Sequence, residues 1–191
     1  MKNVGILLFD NVEVLDFAGP FEVFSVTGQR DGDGYFKVFT ISENDVVEAV
    51  NGLKIMSDYR LDNHPEIDIL VVPGGYGARA AIKNDQLLGW VKNISKKSEY
   101  TLSVCTGSLI LAQAGLLKYL EATTHHTCYD LLEKLDDTLI LKKERFVDNG
   151  NIITAAGVSA GIDASMYLIE KIHGEAVSKE TAKYIEYPYY K

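Results

Sequence analysis

The sequence predicts a doubly wound α/β domain: a mostly parallel sheet with helices on both faces, arranged as a flavodoxin-like three-layer sandwich. Three observations predict it. Continuous apolar runs alternate with amphipathic stretches, as buried parallel strands alternate with covering helices. Four of the loops that follow strands have an unusual composition, and in such sheets the strand carboxyl ends form the ligand crevice. Finally, 191 residues that are 47% hydrophobic and 24% charged suit one compact domain over residues 1–191.

Taken in order, VGILLF predicts a first strand at Val4–Phe9, and the Gly19-Pro20 pair predicts a helix starting there and running to Val26. QRDGDGYF, from Gln29 to Phe36, loses the apolar period and supplies Gly and Asp, so it reads as a loop. The runs FKVFTIS (Phe36–Ser42) and IDILVVP (Ile67–Pro73) predict the next strands, followed by an amphipathic helix at Asp85–Lys97. YTLSV (Tyr100–Val104) then leads into a helix at Thr106–Ala114. A helix at Tyr129–Leu135 and a strand near Leu139–Leu141 come next. Asn149-Gly150 reads as a hairpin turn before a strand at Ile152–Ala156. Helices at Ala160–His173 and Lys179–Ile185 complete the chain.

Charge and composition exclude several classes. The formal charge is -8 with scattered Lys and Arg, so the basic footprint that phosphate backbones require is missing and no nucleic-acid partner is expected. The apolar run at the amino terminus is interrupted by acids, too brief for a membrane helix, and lacks a signal-peptide cleavage site; no membrane partner and a cytoplasmic location are expected. Cys105 and Cys128 are then expected as reduced thiols.

The chemistry-bearing loops are NVEVLDFAGP, PGGYGAR, CTGS and GVSAG. Cys105 stands where a strand turns into a helix, with Ser103 and Gly107 small enough for a sharp turn, as in a nucleophile elbow. The helix end is expected to lower the thiol pKa. A buried packing cysteine is the competing reading, and the elbow context favours activation. In PGGYGAR, Gly74 and Gly75 open a turn whose N–H groups, Gly75 together with Thr106, could face an anionic intermediate; a loop that needs only positive φ is the alternative. Asp16, ahead of the expected helix and among Val14, Leu15 and Phe17, would be partly desolvated and suited to proton transfer, or else a capping or turn aspartate. Glu13 and Glu22 read as solvated positions.

Gly157 to Gly161 is a formal G-x-S-x-G match, but Asp163 and His173 are poorly placed to complete a triad with Ser159, which reads instead as a helix cap or pocket residue. His125 and His126 are adjacent and do not share a face, so no metal is expected; His125 could reach the pocket or be structural. The four tyrosines of YIEYPYYK could cover the core edge or a dimer interface.

Together, ILLFDNVEVLDFAGPFEVF, ILVVPGGYGAR, LSVCTGSLILAQAGLL, ATTHH and ITAAGVSAGIDASMYLIEK, in that order, resemble the ThiJ/PfpI superfamily, which has the class I glutamine amidotransferase-like fold, over nearly the whole chain. Its isonitrile hydratase-like branch is similar in the LDxxGPxxVF, PGG, VCTG and GVxAGID patterns. The resemblance implies Cys105 as nucleophile, Asp16 as acid/base, and Gly75 and Thr106 as donors, with Gly74, Tyr76, His125, Ser159 and Asp163 about the pocket. It further implies a small-molecule substrate, hydration of an isocyanide, no metal or organic cofactor, and a homodimer. Other superfamily members, including glyoxalases, deglycases and amidases, generally have glutamate where Asp16 stands and often histidine where Thr106 stands. Relatives of the branch often read Thr-His-Trp where this chain has Thr124-His125-His126. Some regulators carry this domain beside a helix-turn-helix, which is not expected in a chain ending at Lys191; a redox or metabolite sensor is the non-enzymatic alternative.

Overall fold

The computed structural model describes residues 1–28 and 34–188. Most of the Gln29–Phe36 loop, and Tyr189 and Tyr190 of the tail, lie outside the described residues. In chain order the elements are β1 (Lys2–Leu7), α1 (Val14–Val26), β2 (Phe36–Ser42), β3 (Val46–Glu48), β4 (Lys54–Met56), β5 (Tyr59–Arg60) and β6 (Ile69–Val72). There follow α2 (Ala78–Ala81), α3 (Asp85–Lys97), β7 (Tyr100–Val104), α4 (Gly107–Gln113), β8 (Glu121–Ala122), α5 (Tyr129–Leu135), β9 (Ile140–Leu141), β10 (Phe146–Asp148), β11 (Ile152–Ala155), α6 (Ala160–His173) and α7 (Glu175–Tyr184).

A seven-stranded sheet runs β10-β11-β7-β6-β1-β2-β5, parallel throughout except for β10, which pairs antiparallel with β11. The continuous apolar strands are buried on both faces because alternate side chains enter two different cores. Val4, Ile6, Val71 and Val104 face α1, α6 and α7, whereas Leu7, Leu70 and Val72 face α2, α3, α4 and α5. This is the three-layer sandwich expected, with the carboxyl ends of β1, β6, β7 and β11 together at one edge of the sheet. Among the described residues, no helix is long and apolar enough to cross a membrane.

Two expectations are corrected. The first helix begins at Val14, not Pro20, so Asp16 lies in its first turn and Pro20 lies inside it. Proline inside a helix removes the bond to the carbonyl four residues back, here that of Asp16. Packing overrides this local preference: Gly19 faces Ile162, and Pro20 lies against Gly161, so α1 and α6 approach closely. The strand expected near Leu139–Leu141 is present as β9, which pairs with β8 in a separate two-stranded sheet. The last helix starts at Glu175, immediately after Gly174, four residues before its predicted start. The hairpin at Asn149-Gly150 is present as expected.

Candidate active site

The site is assembled from the four loops at the strand carboxyl ends. Between β7 and α4, Cys105 adopts φ +56°, a left-handed conformation that is uncommon for any residue with a side chain. Neighbouring loops hold it there. Its N–H donates to the carbonyls of Ala155 (3.1 Å) and Ala156 (3.0 Å) at the end of β11. Its own carbonyl accepts from the hydroxyls of Thr124 (3.0 Å) and Ser108 (3.1 Å). The elbow expected from small flanking residues is therefore formed, and the thiol is buried within it, with Cys105 5% exposed.

The PGG loop locks onto the same turn. Gly75 has φ +117°, and a Cβ there would overlap the Glu13 nitrogen and the Asn11 carbonyl, so only glycine lets this strand exit pass so close to residues 11–13. The Gly75 N–H donates to Thr106 Oγ1 (2.9 Å), which donates in turn to the Gly75 carbonyl (3.1 Å). In this state the Gly75 donor is engaged by Thr106 and does not face the thiol. The neighbouring N–H, that of Gly74, donates to Asp16 Oδ2 at 3.0 Å.

Asp16 is fully buried, and its Oδ1 has no hydrogen-bond partner among the described groups. Removal from water pushes its pKa up to about 7, against smaller opposing contributions from the Gly74 N–H and the Cys105 thiol beside it. The thiol departs from the lowered pKa that its sequence position predicts. Burial and the adjacent Asp16 charge push Cys105 up to about 12, although the N–H groups of Thr106 and Val158 both stabilise its anion. Desolvation outweighs the donors because the sulfur is enclosed and α4 is only seven residues long.

Cys105 lies at the wall of a cavity of about 150 Å³, also lined by Glu13, Gly75, Tyr76, Arg79, Thr106, His125, Thr127, Cys128 and Val158. Tyr76 and His125 thus share a cavity with the elbow. The His125 Nδ1 accepts the Thr127 N–H (3.3 Å), its ring lies 4.3 Å from that of His126, and burial together with His126 lowers its pKa. A neutral ring accepting at Nδ1 carries its proton on Nε2.

Gly74, Ser159 and Asp163 are not among the residues that line this cavity. The Ser159 hydroxyl accepts from Arg145 Nη2 (3.0 Å), and Asp163 pairs with Arg145 Nε and accepts from the Tyr187 hydroxyl (3.0 Å). Both side chains face an ion-pair network on α6 rather than the elbow. His173 packs against Tyr35 and Phe36, so no Ser159 triad is assembled.

Five lining residues escape the sequence reading of the site: Glu13, Arg79, Thr127, Cys128 and Val158. Glu13, which reads as solvated, is half-buried immediately before α1 and lines the cavity. Val158 is visible in the sequence only as the unspecified residue in G-x-S-x-G, yet it adopts φ +48°, a genuine outlier for a β-branched residue. The strain accompanies a donor aimed at the sulfur. A larger groove of about 700 Å³ lies between α1, α6 and the tail, with Tyr184 and Tyr187 on its wall, and it holds no nucleophile.

Fold and site define an α/β protein whose buried cysteine occupies a strand-to-helix elbow beside a buried aspartate. The chain belongs to the DJ-1/PfpI family, whose model matches residues 2–171. It is 33% identical over 185 residues to isonitrile hydratase of Pseudomonas putida, covering 96% of this chain and 78% of that protein. It is 28% identical over 178 residues to the HTH-type transcriptional regulator GbdR of Pseudomonas aeruginosa, covering 93% of this chain but 48% of the regulator. The chain therefore spans about half the length of that regulator. Among solved structures, a THiJ/PfpI family protein from Pseudomonas syringae superposes with a TM-score of 0.88 at 30% identity, covering 98% of this chain and 75% of that one.

Proposed function

We propose that the protein is a cysteine-dependent small-molecule enzyme that hydrates an organic isocyanide to an N-substituted formamide. The observation that carries this reading is the buried Asp16 carboxyl beside Cys105, whose residue lines the cavity, in a chain similar to isonitrile hydratase over most of its length. A carboxyl group with a pKa of about 7 can both accept and return a proton near neutrality. The thiol rests protonated, so the nucleophile arises by proton transfer to Asp16 as the sulfur attacks.

In this mechanism a sulfur–carbon bond forms at the terminal isocyanide carbon. Asp16 returns the proton to that carbon, giving a thioimidate. Water then adds, losing one proton to Asp16, which passes it to the nitrogen. The tetrahedral adduct expels the thiolate as its hydroxyl proton passes to Asp16, leaving the formamide, and Asp16 then returns that proton to the sulfur to restore the resting thiol. The Thr106 and Val158 N–H groups stabilise the thiolate when it is released. No step calls for a metal or organic cofactor. A cytosolic setting would keep both thiols reduced. A homodimer completes the proposal, with Leu15 and Phe21 of α1 exposed at 38% and 36%, and light scattering tests it.

Formamide formation by the wild-type protein, compared with Cys105→Ala and Asp16→Asn, tests the chemistry. Both substitutions are expected to lower turnover at least about 100-fold. The wild-type kcat/KM should rise with pH through the Asp16 titration near 7, and that limb should vanish in Asp16→Asn. Undiminished turnover in both variants sinks the mechanism. The similarity to a regulator over 93% of this chain favours ligand sensing as a second reading, supported if saturable isocyanide binding occurs without any product.

A further inference from the structure

Three described arginines can be compared. Arg60 pairs with Asp45 and Arg145 with Asp163, whereas Arg79 forms no ion pair with any described carboxylate. It is also the arginine that lines the Cys105 cavity. Its guanidinium lies 5.7 Å from the centre of the Tyr76 ring and directs Nη2 towards Cys128 Sγ at 3.6 Å. Stacking on an aromatic face and one weak sulfur contact orient the group without neutralising it, and most of its N–H donors stay unspent.

In a chain of net charge -8, Arg79 places an exposed cation at the mouth of the cavity. We propose that Arg79 is a specificity residue that binds the carboxylate of a small organic acid whose reactive end faces Cys105. This deepens the proposed hydration by naming the substrate class, and it rests on that proposal for the reaction. A planar guanidinium matches a carboxylate through paired N–H donors. Glu13 lines the same cavity and forms no ion pair with Arg79, so the guanidinium stays open to a ligand carboxylate. At about 150 Å³ the space is below the roughly 300–1,000 Å³ of pockets for drug-sized ligands, which favours a short acid over a nucleotide or a peptide.

Alkylation of Cys105 by iodoacetate and by iodoacetamide tests this, because the probes are similar in size and differ in charge. In each case sulfur displaces iodide. Rates are followed at Cys105 by peptide mass spectrometry and normalised to free cysteine. The iodoacetate-to-iodoacetamide ratio is expected to fall about three- to tenfold in Arg79→Gln, to be largely kept in Arg79→Lys, and to shrink in the wild type at high salt. The iodoacetamide rate itself should be preserved, which shows an intact elbow. An unchanged ratio in Arg79→Gln overturns the proposal, as does an equal loss of both rates. Because alkylation is read rather than turnover, the result stands apart from whether an isocyanide is hydrated.

Discussion

At the scale of single residues, the buried Asp16 carboxyl is held at a cost in stability. Asp16 ionises near 3.8 in the unfolded chain, as an ordinary aspartate does, yet stays protonated when folded up to about 7. Between those values the folded state binds the extra proton, so stability falls as pH rises through that window and levels off above 7. At roughly 1.4 kcal/mol for each tenfold difference in proton affinity, the loss amounts to a few kcal/mol. Asp16→Asn is therefore expected to raise the urea midpoint at pH 8, with the advantage shrinking towards pH 4. A constant difference between the two proteins across that range would contradict the burial argument.

At the scale of elements, the elbow depends on how closely α4 starts beneath β6. A Cβ on Gly107 would overlap the carbonyl oxygen of Val72, which is backbone and cannot swing aside. Gly107→Ala is expected to cost about 1–3 kcal/mol and to slow iodoacetamide alkylation of Cys105, because α4 must shift and take the turn with it. Thermal melting and alkylation rates check both effects together. The same reasoning explains α1: its residues carry a helix-breaking Pro20, but close packing on α6 keeps the helix continuous and carries Asp16 beneath the PGG loop.

At the scale of the whole molecule, one sheet divides two cores, and each strand contributes to both. Loss of either helical layer would expose one face of the same strands, so the domain is expected to unfold in a single transition. Trp90, the single tryptophan, lies on α3 and donates from Nε1 to His64 Nε2 at 3.2 Å. Its fluorescence reports one layer, while far-ultraviolet circular dichroism reports the whole. Coincident denaturation curves are expected, and separate midpoints would show that the layers unfold independently.

The sequence by itself determined the sandwich and the tight turn at Cys105. The uninterrupted, β-branched run Ile69–Val72, bounded by Pro73-Gly74, suits a strand covered on both faces, and the small residues of Ser103-Val104-Cys105-Thr106-Gly107 permit a tight turn. These are local properties of consecutive residues. Only the tertiary structure decided the start of α1, the separate pairing of β8 with β9, the exclusion of Ser159 and Asp163, and the entry of Arg79 and Val158. It also reversed the expected direction for the thiol. The pKa of Cys105 depends on how much water and which charges surround the sulfur, and those are supplied by loops at residues 11–16, 74–79, 125–128 and 157–158. Periodicity records what one segment needs to bury, whereas desolvation and charge pairing depend on segments that meet only after folding.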